Sequence, residues 1–501
     1  MKTRKPLAGT ALALSAAVAL AGCSGPAADE AVTGGTLAIG LDTDITSLDP
    51  IDNLVAHQST LIVGNAVYEP LFLDGPEGGL VPGLAESIET DDLTDWTLTL
   101  KPGLAFSDGS PLDAEAVIAH FERMADPEST CLCQPAAAQI DSAEAADDTT
   151  VRLTLAAPDA AFDRNLTRSL GMITTPPEGD GEPLGAGAFA VASTEPGASV
   201  TLKPNPEYHG SAPLLDELVF RFLPDTDSRY QSLSSGTVDM VWLHTANLVA
   251  QAQTEGLTTA IANSTTATAF LNTTRPPFDD VRVRQAVQAA INREVILEAA
   301  DQGVGNLSDG PIGSGSPYSV RTDYPEFDPD RARRLLADYG EPVAFDYTTD
   351  ARPQSAQRAA VIQQMLADVG IEMTIDTVDA ATMDTRMFGR DFDAIEFFTS
   401  AYGETDTAMK SIFPAEAPGN FAGYDNSEVT GLIGRAAETA DAGERAELYG
   451  SAAQIIVDEA PILFYTESPS GFAASYTVGG IPDLSEHNVI SFLPSELWIN
   501  R

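Results

Sequence analysis

Residues Phe270 to Ile296 read FLNTTRPPFDDVRVRQAVQAAINREVI. The segment opens on strand-like residues that end at Asn272. It then passes a polar turn carrying Pro276 and Pro277 and reaches Asp279 or Asp280, either of which is placed to cap a helix. Val283, Val287, Ala290, Ile291 and Val295 recur at three- and four-residue spacing, which predicts one helix with an apolar face. Arg282, Arg284 and Arg293 fall on or near its wet side. A strand feeding a capped amphipathic helix is an α/β signal.

The rest of the chain extends that signal. Gly34 to Ile39 begins the folded part as a short strand, and a helix face over Leu61–Val67 follows it. Trp96–Leu100 and Val151–Leu155 alternate like strands, and between them Asp113 is placed to cap a helix carrying Val117, Ile118 and Phe121. Farther on, Asp328 caps a helix with Pro329 in its first turn and Gly340 at its end. Phe345–Thr348, a helix from about Gln354 to Val369, and Ile371–Ile375 make a strand–helix–strand unit, so this part predicts a mostly parallel or mixed sheet. Phe392–Phe398 and Pro461–Tyr465 add further strands.

A chain of 501 residues is too long for one core, and about 100–200 residues per domain predicts two or three domains. The formal net charge is −47; the first 22 residues hold Lys2, Arg4 and Lys5 and no acid, so the remainder carries −50. Such a chain repels nucleic acid and anionic lipid headgroups, which excludes both as partners.

The N-terminus has a mechanism of its own. Those basic residues precede an Ala/Leu-rich run from Leu7 to Ala21, too short for a membrane span, and Leu20-Ala21-Gly22-Cys23 ends it. Small residues before a cysteine match a lipoprotein processing site, with residues 1–22 removed, Cys23 acylated and residues 23–33 left as a tether. Of the other cysteines, Cys131 and Cys133 have no further Cys or His nearby to complete a metal site. A disulfide between them fits an oxidising compartment, with free thiols as the alternative.

Several short motifs then occur in a fixed order: Ser47-Leu48-Asp49-Pro50, Tyr68-Glu69-Pro70-Leu71, Pro82-x-Leu84-Ala85-Glu86, Phe106-Ser107-Asp108-Gly109, Leu184–Phe189 (LGAGAF), and Asn205-Pro206-Glu207-Tyr208. With the opening segment, this succession closely resembles the extracytoplasmic solute-binding proteins of the peptide/nickel family, family 5 of ABC importers. One departure is Ser107, where many relatives carry His.

The resemblance covers residues 34–501 and implies an α/β, two-lobe periplasmic-binding-protein-like fold (type II, cluster C-like) with an extra domain in the first lobe. It implies a first-lobe core of residues 34–64, 184–270 and 476–501, an extra domain over 65–183, and a second lobe over 271–475. Asn272 to Pro277 becomes the expected hinge crossing. It further implies a monomeric, lipid-anchored, extracytoplasmic receptor that captures a small solute, an oligopeptide by preference, for an ABC permease and its ATPase subunits. A metal chelate, opine or oligosaccharide is the alternative solute.

A membrane-tethered hydrolase is the competing class, and the motifs for it are missing. There is no Gly-x-Ser-x-Gly elbow, no His-Glu-x-x-His and no P-loop, and the five histidines are scattered. No catalytic residue, cofactor or metal site is expected. For a peptide amine the family uses an Asp in the loop after the strand equivalent to Phe392–Phe398. That loop here reads FTSAYGETDTAM, with no Asp at the matching position. Glu404 or Asp406 is the expected substitute, and Tyr402, Asn272 and Tyr68 are further expected cleft residues.

Overall fold

The computed structural model describes residues 31–500 apart from 53, 56, 76–78, 177–181, 315, 317, 319–320, 401–404 and 485–489, and gives the backbone alone for 263, 264, 380 and 400. Eleven strands among the described residues form one mixed sheet. From one edge the order is Glu372–Val378, Ala344–Asp350, Ala394–Ser400, Thr258–Leu271, Ile462–Ala474, Met240–Leu243, Thr36–Leu41, Glu217–Phe222, Ser199–Pro204 and Phe189–Glu195; Asn306–Leu307 pairs beside Ile462–Ala474. The strand–helix–strand unit expected in the second half is present, with Ala344–Asp350 parallel to Glu372–Val378.

Both faces of this sheet are covered, which is why its strands read as apolar runs. Along the first strand Leu37, Ile39 and Leu41 enter one core while Ala38 enters another. In the other half of the sheet Leu463 and Tyr465 face one core, and Ile462 and Phe464 face the opposite one. Residues 71–173 build a separate core around a four-stranded antiparallel sheet, with Trp96, Leu98 and Leu153 facing Val117 and Phe121 of a helix that Asp113 caps through Ala116 N at 3.1 Å.

Two strands serve both lobes. In Thr258–Leu271, Ala260 and Ala262 pack in the first-lobe core, while Ala267, Ala269 and Leu271 pack in the second. Its antiparallel partner Ile462–Ala474 changes sides likewise, and their register shifts between Asn263 and Thr265 and again between Ala267 and Thr268. Thr265, Thr266, Thr466, Glu467 and Ser468 occupy this waist, so no apolar cluster stiffens it. Gly471 permits the close approach beside it: a Cβ there would meet Ala260 O at 2.1 Å, at a φ of +153°. The two strands thus pass from one core to the other within their length, and the 272–277 turn sits at their far end.

The opening segment folds differently from its periodicity in one respect. The expected single helix is two, Val281–Ala290 and Arg293–Ala300. Asp280 caps the first through Arg282 N at 2.8 Å, and Asn292 breaks the run because its side chain accepts from Glu294 N and Val295 N and starts a second helix. Arg284, expected on the wet side, is buried and donates to Glu459 O and Phe278 O, each at 2.8 Å. Arg293 lies 3.8 Å from the centre of the Tyr324 ring.

The glycines of LGAGAF do not adopt positive φ; they let the loop press on the end of helix Gln58–Val67, where a Cβ on Gly187 would lie 2.4 Å from Ala66 O. Cys131 and Cys133 are joined as a disulfide in the structure. No helix among the described residues is long and apolar enough to cross a membrane.

Candidate functional site: the interlobe cleft

A cavity of about 310 Å³ opens over the waist, with Thr265 and Ser468 of the two crossing strands in its floor. The first lobe contributes Asp42, which follows its central strand, His57 to Ser59 at the start of a helix, and Trp242 with His244 to Asn247. The second lobe contributes Asp301, Arg352, Ser355, Arg358 and Phe398. Asp42, His244 and Arg352 all stand just past the carboxyl ends of buried sheet strands, where open α/β sheets bind ligands.

The second-lobe wall carries two arginines, each paired with an acid. Arg358, 1% exposed, donates to Glu396 at 2.6 Å and lies 3.4 Å from Asp301, whose other oxygen accepts from Thr466 at 2.7 Å. Burial raises the Asp301 carboxyl above its usual range despite the Arg358 charge and the Thr466 hydrogen bond. Arg352 is half-exposed, pairs with Asp350, and sits 4.3 Å from the centre of the Phe398 ring, with Arg358 at 5.2 Å from the same ring. Stacking on an aromatic face holds a guanidinium in orientation; the Nε and Nη2 edge of Arg352 is taken by Asp350, which leaves Nη1 outside that pair.

The first-lobe wall is anionic. Burial alone would raise the Asp42 carboxyl, but hydrogen bonds from His244 and Ser59 and the charges of His244 and Arg229 hold it well below the usual carboxylate range. Trp242 lies beside it, packed edge-on against Phe472 at 5.1 Å. Among the described residues, no group of three or more His, Cys, Asp or Glu is arranged to hold a metal ion.

The two walls face each other across the strands that join the two cores. The family model for bacterial extracellular solute-binding proteins, family 5 Middle, matches residues 79–423. The chain belongs to that family. Family 5 proteins are non-enzymatic, extracytoplasmic binders, the substrate-binding components of ABC importers.

Among its relatives, the glutathione-binding protein GsiB of Pectobacterium atrosepticum is 28% identical over 451 residues, 85% of this chain and 87% of that protein. GsiB of Escherichia coli K12 is also 28% identical over 451 residues, 84% of this chain and 87% of that protein. The fold matches solved structures of NikA from Brucella suis in complex with Fe(III)-EDTA (TM-score 0.81, 23% identity, 93% of this chain and 100% of that one) and of the oligopeptide-binding protein AppA from Bacillus subtilis in complex with a nonapeptide (TM-score 0.80, 20% identity, 94% and 100%).

Against this family 5 cleft, the residues expected from sequence are placed as follows. Tyr402 and Glu404 lie outside the described residues, as does Cys23. Asp406 is buried in the first turn of helix Thr405–Ile412, accepts from the Tyr449 hydroxyl, and does not line the cavity. Tyr68 is fully buried with its hydroxyl donating to Leu48 O at 2.6 Å. Asn272 is buried at the far end of its strand, donating to Arg390 O and Phe392 O. Both satisfy their polar atoms inside the protein, so neither faces the cleft. The structure instead gathers Asp42, His244, Trp242, Arg352 and Phe398, which sequence reading missed. For Asp42, His244 and Arg352 the usable signal was position, one or two residues past a buried strand; Trp242 and Phe398 lie within strands.

Proposed function

We propose that this chain is a monomeric, lipid-anchored receptor that encloses a small peptide-like solute, of about the size of glutathione, and delivers it to an ABC permease and its ATPase subunits. The observation that carries this reading is the cavity of about 310 Å³ with an anionic wall on one lobe and a guanidinium stacked on an aromatic ring on the other. That volume is at the small end of ligand pockets, which suits a di- or tripeptide and not a long peptide. Arg352 Nη1, the nitrogen that Asp350 does not engage, is the proposed carboxylate contact. A solute that touches both lobes favours the closed state by its differential affinity.

The glutathione-binding relatives support the solute class, and residues 1–33 support the anchor through Cys23. The lobes and extra domain have the proposed extents given above, with the hinge moved to residues 263–268 and 466–470. Calorimetric titration with glutathione and di- to pentapeptides is the test. Binding should peak at two or three residues and be lost on amidation of the terminal carboxylates; absence of binding across the panel would reject the solute class. Fatty-acid labelling of cells should mark the wild type and not Cys23→Ala.

A further inference from the structure

We infer that Asp42, on the first lobe, is the counter-charge that receives the solute's cationic amine, in place of an acid from the loop after Phe398. This deepens the reading above and rests on it. Asp42 is the one carboxylate that the first lobe sets in the cavity wall among the described residues. Its side chain is 21% exposed, enough to be reached and little enough for a paired charge to matter.

Its internal partners are His244, Ser59 and Thr43, none of them a permanent cation. Asp42 lies 3.3 Å from His244 Nδ1 and accepts from the Thr43 hydroxyl at 3.1 Å. The strong cation behind it, Arg229, is directed elsewhere: it donates to Trp242 O at 2.8 Å, to Leu223 O at 2.6 Å and to Pro224 O at 3.2 Å. Hydrogen bonds from His244 and Ser59, more than the distant charge of Arg229, hold Asp42 ionised, and Arg229 does not occupy its oxygens.

Among the described residues the competing acids are engaged. Asp301, across the cavity, faces Arg358 and accepts from Thr466, and Asp406 is buried against Tyr449 away from the cavity. Trp242, beside Asp42, adds an aromatic face, the other surface a cationic amine prefers. With Arg352 opposite, a dipolar solute would join the two lobes end to end.

The test uses probe pairs that differ only at the amine: glutathione with N-acetylglutathione, and triglycine with N-acetyltriglycine. Each is titrated calorimetrically into the mature wild type and into the Asp42→Asn, Asp42→Glu and Asp406→Asn variants. The wild type should prefer the free amines by about tenfold or more, a difference of about 1.4 kcal/mol. Asp42→Asn should lose that preference by weakening the free-amine probes while the acetylated ones bind as before, which also reports an intact fold. Asp42→Glu should retain part of the preference, and Asp406→Asn all of it.

A preference that survives in Asp42→Asn, or that falls in Asp406→Asn instead, overturns the assignment while the peptide-like solute stands. A wild type that binds both members of each pair equally also overturns it. If the wild type binds no probe, the proposed solute class fails and this inference fails with it.

Discussion

Arg358 shows how a cleft wall is held in place. Its guanidinium is 1% exposed between Glu396 and Asp301, so removing it strands two buried acids. Arg358→Met should cost about 3–5 kcal/mol in denaturant unfolding, and adding Glu396→Gln should recover part of that. Asp406 makes the opposite kind of statement. Burial raises its carboxyl above the usual range, against the Tyr449 hydrogen bond and the charges of Lys410 and Arg445. An acid whose folded value is raised binds its proton more tightly when folded, so its contribution to stability falls as pH rises from the unfolded value, about 4, through the folded one. The melting temperature of Asp406→Asn should therefore gain on the wild type as pH rises across that window. A gap that stays constant with pH would show that Asp406 does not titrate there. These side chains also mark a limit of reading from sequence: Asp42, Asp301, Glu396 and Asp406 are four of 74 acids, and only the fold separates Asp42, in the first-lobe wall of the cavity, from those that face Arg358 or Tyr449.

At the scale of elements, the hinge and a second contact between bodies matter most. The loop after residue 155 reaches the second lobe: Asp159 pairs with Lys410 at 2.8 Å, Ala160 N donates to Ala437 O at 2.7 Å, and Arg445 donates to Ala160 O at 2.8 Å. These bonds join the 71–173 core to helices of the second lobe, so they strengthen the arrangement in which the bodies touch. Lys410→Met should weaken it by on the order of 1 kcal/mol, given that Lys410 is 30% exposed. The expected readouts are a larger radius of gyration in ligand-free solution scattering and a several-fold weaker Kd with the cavity residues untouched.

Element types were largely legible from periodicity and caps: Asp113, Asp280 and Asp328 cap helices as expected. The waist was not legible, because TTAIANSTTATAFL reads as one uninterrupted strand. Its change of core is visible only once the partner strand and the register shifts are known. Asn292 hid a helix break inside a regular apolar pattern, since the spacing of Val287, Ile291 and Val295 carries on across it.

For the whole molecule, 74 acidic residues against 27 basic ones leave a surface that repels itself. Screening shortens that repulsion, to about 3 Å in 1 M salt, so the melting temperature should rise between dilute buffer and about 1 M NaCl. A flat or falling response would show that local ion pairs dominate over net charge. Membership in family 5 and the two-lobe architecture were readable because an ordered series of short motifs spans most of the chain. The cleft was not, since its walls come from positions 42, 244, 301, 352 and 398, and no local spacing relates them.

The sheet order also sets a timetable. Residues 36–41 lie beside 240–243, and those pair with 471–474 near the end of the chain. The strand Met240–Leu243, beside the earliest one, thus waits for its other neighbour on nearly the last strand to be synthesised. Until that strand arrives, the first half of the sheet has an open edge, and its long-range pairings bring little reward for the entropy of closing so large a loop. A polypeptide threaded outward from its N-terminus therefore stays loose during passage. It gains its stable form only after release on the far side.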